Sequence, residues 1–272
     1  MPTRRPLRSV CFIPLLACLG LLLAPVASPA TAAAATPLFN GKNLDGWTVF
    51  TPDKDLPTSN NLFEVIDGTL HTYPGAIDGS RQPIGYLITT AEYADYHLSL
   101  EYKWGVGKFI PRADPDVARD AGVLYHVQSP NVIWPTAVEC QIQEGDTGDV
   151  WLIHTQATSR VHPDTTGYWP PSQKGGVEVT KGEKPNVYRR FLRYYCHEQP
   201  GWNRVELFVR GDRASYFVNG HLVNEVTQLK QWDEATKAWV PLTKGRILLQ
   251  AEGAEIYYRN VTLQPLVPPA TN

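Results

Sequence analysis

Short runs that alternate apolar and polar side chains, cut by two-residue turn signals, recur along this chain and leave it few folds to adopt. In "LFEVIDGTLHTY" two such runs flank Asp67-Gly68, a pair suited to the tight turn of a β-hairpin. "YHLSLEYKW" sets Leu98, Leu100, Tyr102 and Trp104 on one side and His97, Ser99, Glu101 and Lys103 on the other, because side chains alternate faces along a strand. "GVLYHVQ", "AVECQIQ" and "YRRFLRYYC" read as further strands. "NRVELFVRGDRASYFVNGHLVNEV" holds three more, punctuated by Gly211-Asp212 and Asn219-Gly220, and "RILLQAEGAEIYYRNVTLQPL" adds a closing pair. No segment carries a long 3.6-residue period free of Pro and Gly, and "QLKQWDEATKAW" is expected as one short helix or a loop. The pattern predicts an all-β, single-domain sandwich, with a barrel as the related alternative. There is no sign of an interdomain linker or of an internal repeat.

The first 36 residues read differently. Arg4, Arg5 and Arg8 precede the apolar "VCFIPLLACLGLLLA", and "SPATAAAATP" supplies small residues for cleavage between about Ala30 and Pro37. This is the layout of an export signal, and it places the protein in a periplasmic or extracellular setting. "TRRPLR" resembles a twin-arginine signal, and ordinary Sec export fits equally. The apolar run continues past Cys18, which argues against lipidation there. The domain is expected over 37–266, followed by a frayed Pro-rich tail at 267–272.

Charge narrows the partners. The full chain has 25 basic and 27 acidic residues. Removing the three leader arginines gives 22 − 27, a net −5, with no basic cluster to attract nucleic acid. Membrane contact is expected only through the export signal, and the oligomeric state is open. Cys140 and Cys196 are the cysteines left after cleavage. They exclude a cysteine metal cluster, and both a Cys140–Cys196 bridge and two free thiols remain open.

The polar residues concentrate in "AVECQIQEGDTGDVW". Val138, Cys140 and Ile142 share one strand face, while Glu139, Gln141 and Gln143 share the other. Glu144, Asp146 and Asp149 follow in an acidic turn. Its oxygen-rich side chains would suit a hard cation such as calcium, and they would equally suit sugar hydroxyls, so a metal is left unassigned. Trp134 and Trp169 sit among prolines in loops, placed to act as platforms for sugar rings or as core fillers.

Four segments, taken in order, make the chain resemble the 3-keto-disaccharide hydrolase domain family. They are "LFNGKNLDGW", "GYLITTAEYADYHLSLEYKW", "VECQI" and "GRILLQAEGAEIYYRNVTLQPL", and together they span nearly the whole chain after the leader. The chain departs from the family pattern at Asp120-Ala121-Gly122, at Tyr125-His126 and at Ala251-Glu252-Gly253. The resemblance implies a concanavalin A-like jelly roll with a ligand on its concave face. It also implies action on glycosides oxidised to a ketone at C3.

Such a ketone acidifies the C2 hydrogen, so a base can remove it and the C1 substituent can leave by β-elimination, with water adding afterwards. A base, an acid for the leaving oxygen and a donor at the enolate are needed. Glu139, His126 and Asp149 are the expected proton carriers. Gln141, Glu101, Lys103, Glu144, Trp134, Trp169, Gln250 and Glu252 are the expected binding residues. The alternatives are a non-catalytic carbohydrate-binding module of the same fold, or a surface domain with a protein partner.

Overall fold

Turn chemistry sets the hairpins of the computed structural model, which describes residues 33–266. Asp67 and Gly68 both take positive φ, at 49° and 75°, as do Asn219 and Gly220, at 50° and 80°. That is the backbone of the primed turns whose twist matches paired strands. The leader up to residue 32 and the Pro-rich tail from 267 lie outside the described residues.

The first nine strands are β1 (Thr36–Pro37), β2 (Trp47–Phe50), β3 (Phe63–Ile66), β4 (Thr69–Thr72), β5 (Gly85–Thr89), β6 (Tyr96–Lys108), β7 (Asp120–Val127), β8 (Ala137–Gln143) and β9 (Val150–Ile153). They are followed by β10 (Thr155–Val161), β11 (Val177–Lys181), β12 (Tyr188–Phe191), β13 (Asn203–Arg210), β14 (Arg213–Val218), β15 (His221–Asp233), β16 (Ala238–Pro241), β17 (Arg246–Ala251) and β18 (Ala254–Pro265). No helix occurs among the described residues. The larger sheet runs β11-β10-β15-β14-β13-β6-β18-β4-β3, with β1 beside β18 and β16 beside β15. The smaller runs β12-β9-β8-β7-β17-β5-β2. Pairing within both is antiparallel, and together they form a jelly-roll sandwich of the concanavalin A-like type.

The core lies between the sheets. Val138, Cys140 and Ile142 of β8 and Val123 and Tyr125 of β7 pack into the same cluster as Leu98, Leu100 and Tyr102 of β6. Buried phenols need partners, and Tyr216 donates to Tyr125 Oη at 2.9 Å.

The smaller sheet is also covered on part of its other face. Leu124, Leu248, Ile88 and Tyr86 form a second apolar cluster with Phe50 and Trp134 packed against it. Tyr86 Oη accepts the Asn131 backbone N–H at 2.8 Å, which pins the 128–136 segment over this end. β7 is therefore buried at every position. The polar end of the same face stays open.

One expectation changes here. "QLKQWDEATKAW" is neither helix nor plain loop but the β15–β16 hairpin. Trp232 faces Trp239 across it, ring centroids 5.6 Å apart, and Asp233 closes the turn by accepting from Ala235 N and Thr236 Oγ1. Cys196 lies in an exposed loop beyond β12, while Cys140 is buried, and both are free thiols. The two do not share one core.

Candidate active site

Strand alternation gathers the site on the open end of the smaller sheet. β8 contributes Glu139, Gln141 and Gln143, its neighbour β7 contributes Asp120, and β17 contributes Gln250 with Glu252 just beyond. On the other side β9 and β12 raise Trp151 and Arg190 in register, since Arg190 faces Trp151 and Trp151 faces Glu139. Arg112 and Trp134 enter from loops. Together they line an open cleft of about 360 Å³.

Gly122 makes the centre possible. It faces Gln141 across the β7–β8 ladder, and a Cβ there would collide with both Glu139 Oε1 and Gln250 Oε1. The two side chains therefore close on one point above a bare backbone. Gln250 Oε1 is buried without a hydrogen-bond partner. A protonated Glu139 would supply the missing donor.

Three carboxyl groups share this small space. Glu139 is 5 % exposed and accepts no hydrogen bond at its side chain from any described residue. Burial, then the nearby charges of Glu252 and Asp120, push its pKa well above the ordinary glutamate value, with Arg190 opposing. Asp120 is better partnered. Arg112 Nη2 pairs with its Oδ2, Gln141 Nε2 donates to Oδ1 at 2.7 Å, and Gln143 Nε2 approaches Oδ2 at 3.4 Å. Burial still raises its pKa, while Arg112 pulls it back. Glu252 is raised by burial and by Asp120, and Arg112 stands 3.6 Å away. One guanidinium is thus divided between two carboxylates, and the third is left to hold a proton or to find one.

Of the residues expected from sequence, Glu139, Gln141, Trp134, Gln250 and Glu252 meet in the cleft. The others lie elsewhere. His126 takes a positive φ of 53° beside a register shift between β7 and β17, and its Nε2 meets Gly211 O at 2.9 Å. Burial lowers its pKa to about 4, so it is a neutral structural imidazole. Asp149 has no exposed side-chain surface and is held by Arg190 and Arg193, so it cannot reach a substrate. Glu101 and Lys103 are on the outer face of the larger sheet, with Glu101 paired to Arg259 and Lys103 4.9 Å from the Tyr257 ring centroid. Glu144 pairs with Arg119 at 2.8 Å. Trp169 donates to Lys174 O and packs edge-on against His162.

Arg112, Asp120, Trp151 and Arg190 were not anticipated. Asp120 had a signal, since it shares the alternation of β7 with Gly122. Arg112 and Arg190 had none, because a loop and a short edge strand bring them in.

The acidic turn does not fit a cation. Asp146 and Asp149 both face Arg190 and Arg193, and Glu144 faces Arg119, so each carboxylate is already neutralised by a guanidinium. A second cavity of about 350 Å³ opens on the larger sheet beside Tyr168 and Arg213. Its Glu225 is occupied by the hydroxyls of Tyr168 and Ser215.

The model of a family described as the 3-keto-alpha-glucoside-1,2-lyase-like domain matches residues 34–264. A proposed glycosyl hydrolase from Parabacteroides distasonis ATCC 8503 is similar, with a TM-score of 0.50 at 20% identity over 86% of this chain and 94% of that one. A second structure of a proposed glycosyl hydrolase from the same organism matches with a TM-score of 0.50 at 19% identity, over 86% of this chain and 100% of the other. At this identity the likeness speaks for the fold alone. No curated protein matches the chain significantly.

Proposed function

The chain belongs to the 3-keto-alpha-glucoside-1,2-lyase-like domain family, and from that premise we propose that its cleft cleaves 3-keto-glycosides by elimination across C1 and C2, followed by hydration. Family membership supports a carbohydrate-active, glycosyl hydrolase-like function. The particular reaction is our reading of the site.

The observation that carries it is Glu139, a buried carboxyl group open to the cleft with no hydrogen bond from any described residue. A raised pKa makes its ionised form a stronger base than an ordinary glutamate, suited to a carbon acid flanked by a ketone. Glu139 takes the C2 proton. The C2–H electron pair moves into C2=C3 as the carbonyl pair shifts to oxygen. When that pair returns, C1=C2 forms and the C1–O bond breaks, its electrons leaving with the aglycone oxygen. Glu252, held near Arg112 and raised in pKa by burial, gives its proton to the departing aglycone oxygen. Water then adds across the enone.

Such a route has no need of the two-carboxylate, oxocarbenium arrangement of ordinary glycosidases. Trp134 and Trp151 offer aromatic faces for the ring, and Gln141 and Gln250 offer amides for its hydroxyls. The leader segment adds export, so the reaction would take place outside the cytoplasm.

The test is incubation of purified protein with a chromogenic 3-keto-glucoside and, in parallel, the unoxidised glucoside. Release from the keto substrate alone is expected. Binding of the keto sugar without release would return the protein to the carbohydrate-binding modules.

A further inference from the structure

The elimination leaves one requirement unmet. Negative charge builds on the C3 oxygen as the C2 proton departs, and Arg112 is already engaged with Asp120 and Glu252. Arg190 stands on the opposite wall. Adjacent strands lie about 4.8 Å apart, so the β12 and β8 backbones that carry Arg190 and Glu139 are roughly 10 Å apart, with Trp151 between them. The Arg190 guanidinium lies over the Trp151 ring, 5.3 Å from its centroid, and forms part of the cleft lining.

The acidic turn fixes this guanidinium. Nε and Nη2 pair with Asp149, and Nη2 also meets Asp146 at 2.9 Å. Asp149 is fully buried and is itself held by the Arg193 backbone N–H at 2.7 Å and by Arg193 Nη1 at 3.0 Å. Nε and Nη2 converge on the single oxygen Oδ2 of this buried carboxylate, and together with the Asp146 contact they hold the plane of the fork. Nη1 of Arg190 has no protein partner among the described residues.

We infer that Arg190 is a catalytic residue of this elimination, its Nη1 donating to the C3 carbonyl oxygen and stabilising the enolate formed when Glu139 takes the C2 proton. The inference rests on the reaction proposed above. Asp149, Asp146 and Arg193 are then positioning residues, and the acidic turn is the clamp of a preorganised donor. No proton need leave the guanidinium. It stabilises the charge growing on the C3 oxygen until the carbonyl re-forms along with C1=C2.

Enolate formation can be read apart from cleavage by hydrogen–deuterium exchange at C2. The probe is methyl 3-keto-glucoside in heavy water, whose poor leaving group lets the enolate be reprotonated. The wild type should exchange the C2 hydrogen. Arg190→Gln should slow exchange by about 10²–10³-fold, the usual cost of one oxyanion donor. Because that variant strands Asp149 as a buried charge, the double variant D149N/R190Q removes both charges and should be as slow. Arg190→Lys keeps the charge, but not the fork, and should recover only part of the rate.

The pH profile reads the Arg190 charge at Glu139, and the exchange rate reads its contact with the C3 oxygen. Without the Arg190 cation, the limb governed by Glu139 should shift to higher pH. Glu252→Gln should lose cleavage while keeping exchange. Wild-type exchange rates in Arg190→Lys or in the double variant overturn this inference and leave the elimination standing. No exchange in the wild-type protein overturns both.

Discussion

β6 and β8 look alike in sequence and end up doing opposite things. Each alternates, with core residues on one face and a glutamate on the other, Glu101 in "YHLSLEYKW" and Glu139 in "AVECQIQ". Glu101 accepts from Arg259 at 2.7 Å, Asn260 at 3.0 Å and Arg204 at 3.3 Å. Burial pushes its pKa up, but those donors outweigh it and hold the carboxyl below the ordinary value. Glu139 sinks between β7 and β9 among two other carboxyl groups, and its pKa is driven the other way. Alternation tells which face a side chain takes. Whether that face holds a finished ion pair or an unsatisfied acid depends on what the neighbouring strands bring.

The sharpest way to break this contrast is to neutralise both acids. Glu139→Gln keeps size and polarity but cannot carry a proton, so turnover of a 3-keto-glucoside should fall by about 10²–10⁴-fold. Glu101→Gln should leave turnover unchanged and cost roughly 0–1 kcal/mol of stability, the usual worth of a largely surface ion pair. Initial rates and melting temperatures of the two variants decide it. Equal activity in both would remove Glu139 from the chemistry.

A second test leaves the carboxyl in place and disturbs its seat. Gly122→Ala puts a methyl group where Glu139 Oε1 and Gln250 Oε1 converge. Displacing a catalytic group by about 1 Å can cost on the order of 10²-fold, so turnover should drop by that much while the keto sugar still binds. Turnover and affinity measured on the same preparation separate the two effects.

These two residues also mark what the sequence could reveal. The sandwich was readable because alternation and primed-turn dipeptides are local signals, and they put Glu139 and Gln141 on the right face. Trp134, picked out by its loop context, and Gln250 and Glu252, picked out by alternation near the end of the chain, line the same cleft. Arg112 and Arg190 were not readable, since cross-sheet neighbours have no sequence signature. His126 misled because a positive-φ bulge turns it toward Gly211, and Asp149 because its acidity serves Arg190 rather than a substrate. "QLKQWDEATKAW" misled because its cross-strand Trp pair cannot be told from a helical spacing in so short a run.

Trp134 and Trp169 give a gentler comparison of the same kind. Trp134 lines the cleft, whereas Trp169 closes the loop over Arg160 and Lys174. Trp134→Leu should weaken keto-sugar binding by about 10-fold, the equivalent of about 1.4 kcal/mol. Trp169→Leu should leave affinity as it is. Calorimetric titration of both against the wild type is sufficient, and equal affinities would take the platform away from Trp134.

The smallest effect should appear as opposite slopes of stability against pH. The folded chain favours protonated Glu139, so this group's contribution is complete below the ordinary glutamate value of 4.5 and is lost as pH rises through its raised folded pKa. Glu101 is the reverse, contributing above 4.5 and losing that contribution as pH falls through its lowered folded pKa. Subtracting the wild-type curve removes the acid loss that buried, neutral His126 adds in every variant. The melting temperature of Glu139→Gln should therefore gain on the wild type as pH climbs from about 4.5 toward neutrality. Glu101→Gln should lie below the wild type at neutrality and close the gap on acidification. One pKa unit is worth about 1.4 kcal/mol, and a domain of this size moves about 2–4 °C per kcal/mol, so both slopes are within reach of a thermal scan. Parallel difference curves would mean that the two glutamates sit in equivalent environments, and the contrast between β6 and β8 would be gone.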